Sequence, residues 1–415
     1  MSEVKNIPEG WTKSTLGEAC SKIGSGSTPT GGAEAYKKDG ISLIRSQNIH
    51  DFNFSYQGLA FIDNSQAKKL AGVTVVSKDI LLNITGDSVA RACMVPDKVL
   101  PARVNQHVAI LRADMKKIDS FFLKYLILNP VCKSQLLMIA SSGATRNALT
   151  KTMLERFEIL LPSYDEQRSI ASILTSFDDK IELLQAQNKT LEETAQTIFK
   201  EWFGKYKVDD ELPEGWRIGN LGEEFNITIG RTPPRLEQEW FSKTPIGKKW
   251  ISIKDIGNSG TFIFNTSEFL TDEAIKKFNI PIIPKNTTIL SFKMTVGKLV
   301  ITTEEMLSNE AIAHLKVKSD SSLSSEYIYL YLQNLDFNSL GSTSSIVTAI
   351  NSTMIKAIGF VIPNKEFLMN FDIMIKPLFN KIKFNIEQVQ TLIQTRDELL
   401  PKLMSGEIRV KKTND

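Results

Sequence analysis

Residues able to do covalent chemistry are few and scattered in this 415-residue chain. His50, His107 and His314 stand far apart, as do Cys20, Cys93 and Cys132, and neither set has the short spacings of a metal site, a CxxC pair or a Cys/His nucleophile. The cysteines read as reduced structural thiols. Gly24-Ser25-Gly26-Ser27 forms a turn without the Lys that a phosphate loop requires next. A DNA amino-methyltransferase sets Asn or Asp, two prolines and an aromatic residue around a flipped base. Asn129-Pro130-Val131-Cys132 and Thr232-Pro233-Pro234-Arg235 both break that pattern. Pro96-Asp97 with Asp114-Met115-Lys116 has the residue types of a metal-dependent nuclease, but the spacing is loose and the second half of the chain has no counterpart, so these read as surface charges. The expectation is a chain without a catalytic centre, metal or bound cofactor of its own.

Binding chemistry is better represented. Segments that read as loops carry Arg45, Gln47, Asn48, Lys78, Arg91 and Arg103, then Ser142, Thr145, Arg146 and Asn147. Later in the chain come Arg231, Arg235, Lys248, Lys254, Lys293 and Lys298. Arg can read guanine, and Asn or Gln adenine, through paired hydrogen bonds in the major groove, while Lys and Ser mostly hold phosphates. These residues are the expected DNA contacts. The net charge of +3 favours a polyanion only weakly, so a nucleic-acid surface must concentrate the basic groups on one face.

The elements that position these residues are written twice. Ile7-Pro8-Glu9-Gly10-Trp11, followed by Leu16-Gly17-Glu18, returns as Leu212-Pro213-Glu214-Gly215-Trp216 followed by Leu221-Gly222-Glu223. Thr28-Pro29 answers to Thr232-Pro233, 75–82 to 282–289, and Asn105-Gln106-His107-Val108-Ala109 to Asn309-Glu310-Ala311-Ile312-Ala313. The matches are collinear, which marks a tandem duplication. The frames agree at their edges while the interiors diverge, as 141–150 does from 342–351. Short Val, Ile, Leu and Thr runs at 41–45, 79–84 and 108–111 read as strands, and 121–129 and 325–333 as helices. The class is mixed α/β (α+β), with a largely antiparallel sheet in each globular part.

Each copy leads into a long helix. Over 165–202, Leu174, Phe177, Ile181, Leu184, Asn188, Leu191 and Ile198 fall on one heptad seam, uninterrupted by Gly or Pro. Over 371–403, Ile382, Asn385, Val389, Leu392 and Leu399 form a weaker seam, with Arg396 in it and with Pro377 and Pro401 expected to start, kink or end it. Antiparallel pairing of the two helices as a coiled coil brings Asn188 within about one turn of Asn385. The expected division is a domain at 1–163, a central spacer helix at 164–206, a second domain at 207–364, a C-terminal spacer helix at 365–409 and a basic tail at 410–415. No apolar run nears the roughly 20 residues of a membrane span, and the start has no basic then apolar leader, so the expected location is cytoplasmic.

These residues together resemble the specificity subunit of Type I restriction-modification systems. The resemblance is carried by Pro-Glu-Gly-Trp and Leu-Gly-Glu opening each copy, by Glu166-Gln167-Arg168-Ser169-Ile170-Ala171 after Leu161-Pro162, and by the closing run from Leu399-Leu400-Pro401 to Ser405-Gly406-Glu407-Ile408. It implies two target-recognition domains reading a bipartite double-stranded DNA target. It also implies two modification subunits that use S-adenosylmethionine, and restriction subunits that use ATP and Mg. One departure is Pro363-Asn364-Lys365-Glu366-Phe367-Leu368 in place of the Glu-Gln run of the first copy. The rival from another class is a two-headed protein-interaction scaffold that binds no DNA.

Overall fold

The computed structural model describes residues 7–141, 147–337 and 350–410. They form two compact units, 1–181 with 391–415, and 182–390. Four helices carry the framework: α1 (Ser120–Leu128), α2 (Tyr164–Phe203), α3 (Ser325–Gln333) and α4 (Lys365–Met404).

In the first unit, β1 (Cys20–Ser25), β2 (Ile80–Asn83), β3 (Ala92–Met94) and β4 (Val108–Ala113) make an antiparallel sheet in the order β1-β4-β2-β3. Side chains alternate across a strand. Ile80 and Leu82 of β2 accordingly enter one core, with Phe122, Leu123 and Tyr125 of α1, while Leu81 enters another with Ile44 and Val104. Burial on both faces explains why β2 reads as a continuous apolar run. A second sheet, Ala60–Ile62, Ile41–Ile44, Ala102–Val104 and Thr74–Val75, contains one parallel pair. Asp119 caps α1, its carboxylate accepting from the N–H groups of Phe121 and Phe122 at 2.9 and 3.0 Å.

The second unit repeats this order. β5 (Phe225–Ile229), β6 (Thr288–Ser291), β7 (Leu299–Thr302) and β8 (Ile312–Val317) run β5-β8-β6-β7, and Phe262–Ile263 adds a parallel strand beside β7. Leu290 enters the core with Tyr327 and Leu330 of α3, and Ile289 the opposite one with Ile251 and Ile283.

α2 and α4 pair antiparallel in each unit. In the first, Arg396 Nη1 meets Asp178 Oδ1 at 2.8 Å and Arg409 Nε meets Glu166 Oε1 at 2.8 Å, while Ile170 and Leu174 share a core with Leu400 and Leu403. In the second, Asn188 faces Asn385 and Phe203 packs edge-on to Phe371 with centroids 4.8 Å apart. Ile181, Leu184, Ile382 and Val389 are buried, while Phe177, Leu191, Leu392 and Leu399 are half-buried. One seam expectation needs correction. Beyond Leu191 the buried residues are Ala195, Phe199 and Phe203, spaced by four, with Ile198 at the edge. There the helix also packs on α3, through Phe199 and Tyr327, so the apolar stripe follows the 3.6-residue period of a globular core. Pro377 neither starts nor ends α4. It is exposed, and Ile373, four residues earlier, is 71% exposed, so water can serve the carbonyl that loses its N–H partner.

Candidate nucleic-acid interface

Each unit presents one hairpin built on the same plan. In the first, residues 84–91 join β2 to β3; in the second, 292–298 join β6 to β7. The N–H of Asn83 donates to Arg91 O at 2.8 Å, and the N–H of Ser291 to Lys298 O at 2.9 Å. The N–H groups of Ala90 and Gly297 close the turns on Asn83 O and Ser291 O, both at 2.9 Å, with both residues in the left-handed region at φ 64° and 85°. Arg91 and Lys298 therefore occupy one structural position, and both are exposed.

Buried polar side chains hold the turns from beneath. Asn83 Nδ2 donates to Ser46 O at 3.0 Å and Ser88 Oγ at 3.2 Å, and Ser291 Oγ donates to Thr295 O while accepting from the N–H of Lys298 at 3.1 Å. Beside each hairpin stands a second repeated device. Thr28 Oγ1 donates to Gln106 Oε1 at 2.6 Å, and Thr232 Oγ1 donates to Glu310 Oε2. Gly26 and Gly230 let the strand ends pass this closely, because a Cβ there would lie 1.8 Å from Val104 O and 2.2 Å from Asn309 O. The frames match and the presented groups differ, an amide in one unit and a carboxylate in the other.

In the first unit the hairpin borders an open concavity of about 400 Å³ lined by Ser46, Thr85, Gly86, Asp87, Ser88, Arg91 and His107. Gln106 Nε2 lies 3.3 Å from His107 Nε2, and an amide nitrogen only donates, so that ring nitrogen accepts. His107 Nδ1 then carries the proton and donates to Thr85 Oγ1 at 2.6 Å. The Thr85 hydroxyl keeps its own proton for a further acceptor. Asn147 is exposed, and its carbonyl accepts from the N–H of Gly86 at 3.1 Å, which brings the end of the 141–150 segment to this hairpin. Ser142, Thr145 and Arg146 lie outside the described residues.

The hairpins thus gather Arg91 and Asn147 in one unit and Lys293 with Lys298 in the other. Several other expected contacts are engaged internally. Asn48 is fully buried, with Nδ2 donating to Ser55 O at 3.0 Å and Gln57 O at 3.3 Å and Oδ1 accepting from the N–H of Arg45, so it braces a loop and has no edge left for a base. Arg45 Nη2 donates to Gly58 O at 2.5 Å, and Gln47, although exposed, reaches the same carbonyl at 3.3 Å. Arg103 donates to Ala67 O and Ala102 O at 3.1 and 2.9 Å. Arg235, although exposed, lies over the rings of Phe241 and Trp250 at 4.3 and 4.5 Å and pairs through Nη1 with Glu268 at 2.9 Å. Arg231 donates to Phe278 O at 3.0 Å, Lys248 pairs with Glu305 at 2.9 Å, and Lys78 sits 5.8 Å over Phe121. Lys254 is exposed.

Reading the sequence for basic groups missed Gln106 and Glu310, whose signal was their position as a differing pair directly after the shared Asn105 and Asn309 of the repeated motif. It also missed Met294, which had none. Among the described residues, no group of three His, Cys, Asp or Glu side chains could hold a metal ion, and no helix is long and apolar enough to cross a membrane. Burial pushes the Cys93 and Cys132 thiols up to about 12, which keeps them protonated and inert.

Residues 8–193 and 213–387 each match the Type I restriction modification DNA specificity domain. The chain is 25% identical to the Type I restriction enzyme MjaIX specificity subunit of Methanocaldococcus jannaschii, over 99% of this chain and 96% of that one. It is 23% identical to the HindI specificity subunit of Haemophilus influenzae, over 70% and 78%. In fold it is similar to the crystal structure of the Type-I restriction-modification system S subunit from M. genitalium, with a TM-score of 0.59 and 15% identity over 100% of this chain and 99% of that one.

Proposed function

Because the chain belongs to the Type I restriction modification DNA specificity family, whose general role is recognition of DNA targets, we propose that it reads a bipartite target, one half-site per domain. Specificity subunits are the non-catalytic chains of these systems. The observation that carries the finer reading is the duplicated hairpin. It keeps one frame and one cation, Arg91 or Lys298, and changes the tip from Thr85-Gly86-Asp87-Ser88 to Lys293-Met294-Thr295. A shared cation suits the phosphate backbone, which is the same at every base step, and a changed tip suits base edges, which are not.

The reading domains are 1–163 and 207–364, with the segments 164–206 and 365–409, which carry α2 (Tyr164–Phe203) and α4 (Lys365–Met404), as spacers and 410–415 as a basic tail. A 40-residue helix is on the order of 60 Å long, ample for an unread gap of about one DNA turn, roughly 34 Å. The chain binds no cofactor. It scaffolds two modification subunits, which use S-adenosylmethionine, and restriction subunits, which use ATP and Mg, all in the cytoplasm.

The test is a methylation map. The chain is expressed with its modification subunit in a methylation-free host, and the genomic DNA is sequenced for N6-methyladenine. A split motif, two short defined halves around a fixed undefined gap, is the expected result. An assembled complex that leaves no new methylation would transfer the reading to a scaffold that binds no DNA.

A further inference from the structure

Met294, at the tip of the second hairpin, is 92% exposed. Its backbone is left-handed, at φ 65°, a conformation that L side chains rarely adopt. The matching hairpin has glycine for this region of the turn, Gly86 at φ 74°. The strained turn is not loose. Ser291 is fully buried and ties both ends of it, and Gly297 packs so closely that a Cβ there would lie 2.9 Å from the Phe337 ring. Lys293 and Lys298, both exposed, flank the methionine.

A backbone outlier held by a rigid frame points to a function at its side chain. An apolar side chain exposed to water gains nothing from the core of its own domain, and the two exposed lysines of the same hairpin favour a polyanionic surface. In the major groove the apolar feature of a base pair is the thymine 5-methyl group. Resting on the DNA-reading function proposed above, we infer that Met294 reads a thymine 5-methyl in one half-site, with Lys293 and Lys298 on the adjoining phosphates.

The test uses the chain assembled with its modification subunit and duplexes carrying the mapped target. Each thymine in turn is replaced by deoxyuridine, which deletes only the 5-methyl. At one position of one half-site the wild type should lose roughly fourfold in affinity, the worth of one buried methyl group. Met294→Gly, which suits the left-handed turn and so preserves the fold, should bind thymine and uracil duplexes equally, and Met294→Leu should restore the preference. A wild type indifferent to uracil at every position, or a preference that survives Met294→Gly, would overturn the inference. Failure of the DNA-reading function itself looks different: the wild type would show no preference for the mapped target over unrelated duplex.

Discussion

Asn385 Nδ2 donates to Asn188 Oδ1 at 2.9 Å across the seam of α2 and α4, and Asn385 is fully buried there with its own Oδ1 unpartnered. An amide pair in an apolar seam costs stability and fixes register, because a slipped helix would leave both amides against hydrocarbon. Asn188→Leu alone strands the Asn385 amide and should lower unfolding free energy by about 1–3 kcal/mol. The double change Asn188→Leu with Asn385→Leu should recover that loss and add a second oligomeric species in sedimentation velocity. A single species of unchanged mass would remove the register role.

Arg396 is the seam's other polar member. It pairs with Asp178, covers the Phe52 ring at 3.6 Å, and shares Asp178 with Lys124 at 2.5 Å. Burial opposes ionisation of Asp178, but the Lys124 charge and the hydrogen bonds from Lys124, Tyr125 and Arg396 outweigh it and hold the carboxyl below its ordinary value. A depressed carboxyl contributes stability that is complete above about pH 4 and lost as pH falls through the folded value. Arg396→Ala leaves Asp178 with Lys124 and Tyr125, and should cost about 1.5–3 kcal/mol at neutral pH, the worth of one hydrogen bond between charged groups, and move the onset of acid unfolding to higher pH. The duplicate shows what can replace the cluster. Tyr329 holds in α3 the place of Lys124 in α1, Phe379 holds in α4 the place of Asp178 in α2, and their rings meet edge-on with centroids 5.7 Å apart. The triple variant Lys124→Tyr, Asp178→Phe, Arg396→Ala should therefore regain most of the loss in chemical denaturation.

What the sequence made legible follows from these contacts. The long helices were readable because Leu174, Ile181, Leu184 and Ile382 recur at heptad spacing, a pattern local to the chain. The duplication was readable because it leaves collinear copies. The strand order β1-β4-β2-β3 was not, since neighbours in a sheet are chosen by packing between distant segments. The same limit applies to the site. Arg235 and Lys298 look alike in sequence, and only the distant Phe241, Trp250 and Glu268 show that Arg235, though exposed, is stacked and ion-paired within its own domain.

His314 lies fully buried in β8, between Thr228 Oγ1 at 2.9 Å and Ser308 Oγ at 2.7 Å. Burial, with help from the Lys316 charge, lowers its pKa from 6.5 to about 3. The unfolded chain thus binds a proton between those values that the folded chain refuses, so stability falls as pH drops below about 6.5, by up to about 1.4 kcal/mol per pH unit. The Asp178 loss sets in only below about pH 4, so the two are separable. His314→Gln keeps polar atoms for both hydroxyls and should flatten the urea-unfolding profile between about pH 6.5 and 4. An unchanged slope would locate the proton uptake elsewhere.

Arg91 and Lys298 share a position on matched hairpins, so their removal should have matched effects. If each holds a phosphate, Arg91→Ala or Lys298→Ala weakens binding of target and unrelated duplex alike and lowers the slope of log K against log salt by about 1. The double variant should lower it by about 2, since the hairpins belong to separate domains and changes at distant sites add. Arg146→Ala should act differently, weakening recognition of one half-site by about 1–3 kcal/mol while leaving the other half-site intact. The measurement is a salt titration with the modification subunit present, on duplexes altered in one half or the other. A slope that stays at the wild-type value in Arg91→Ala and Lys298→Ala would take both hairpins off the phosphate backbone. A change confined to one half-site would instead make the cation a base reader, and the two domains would then share a frame without sharing an anchor.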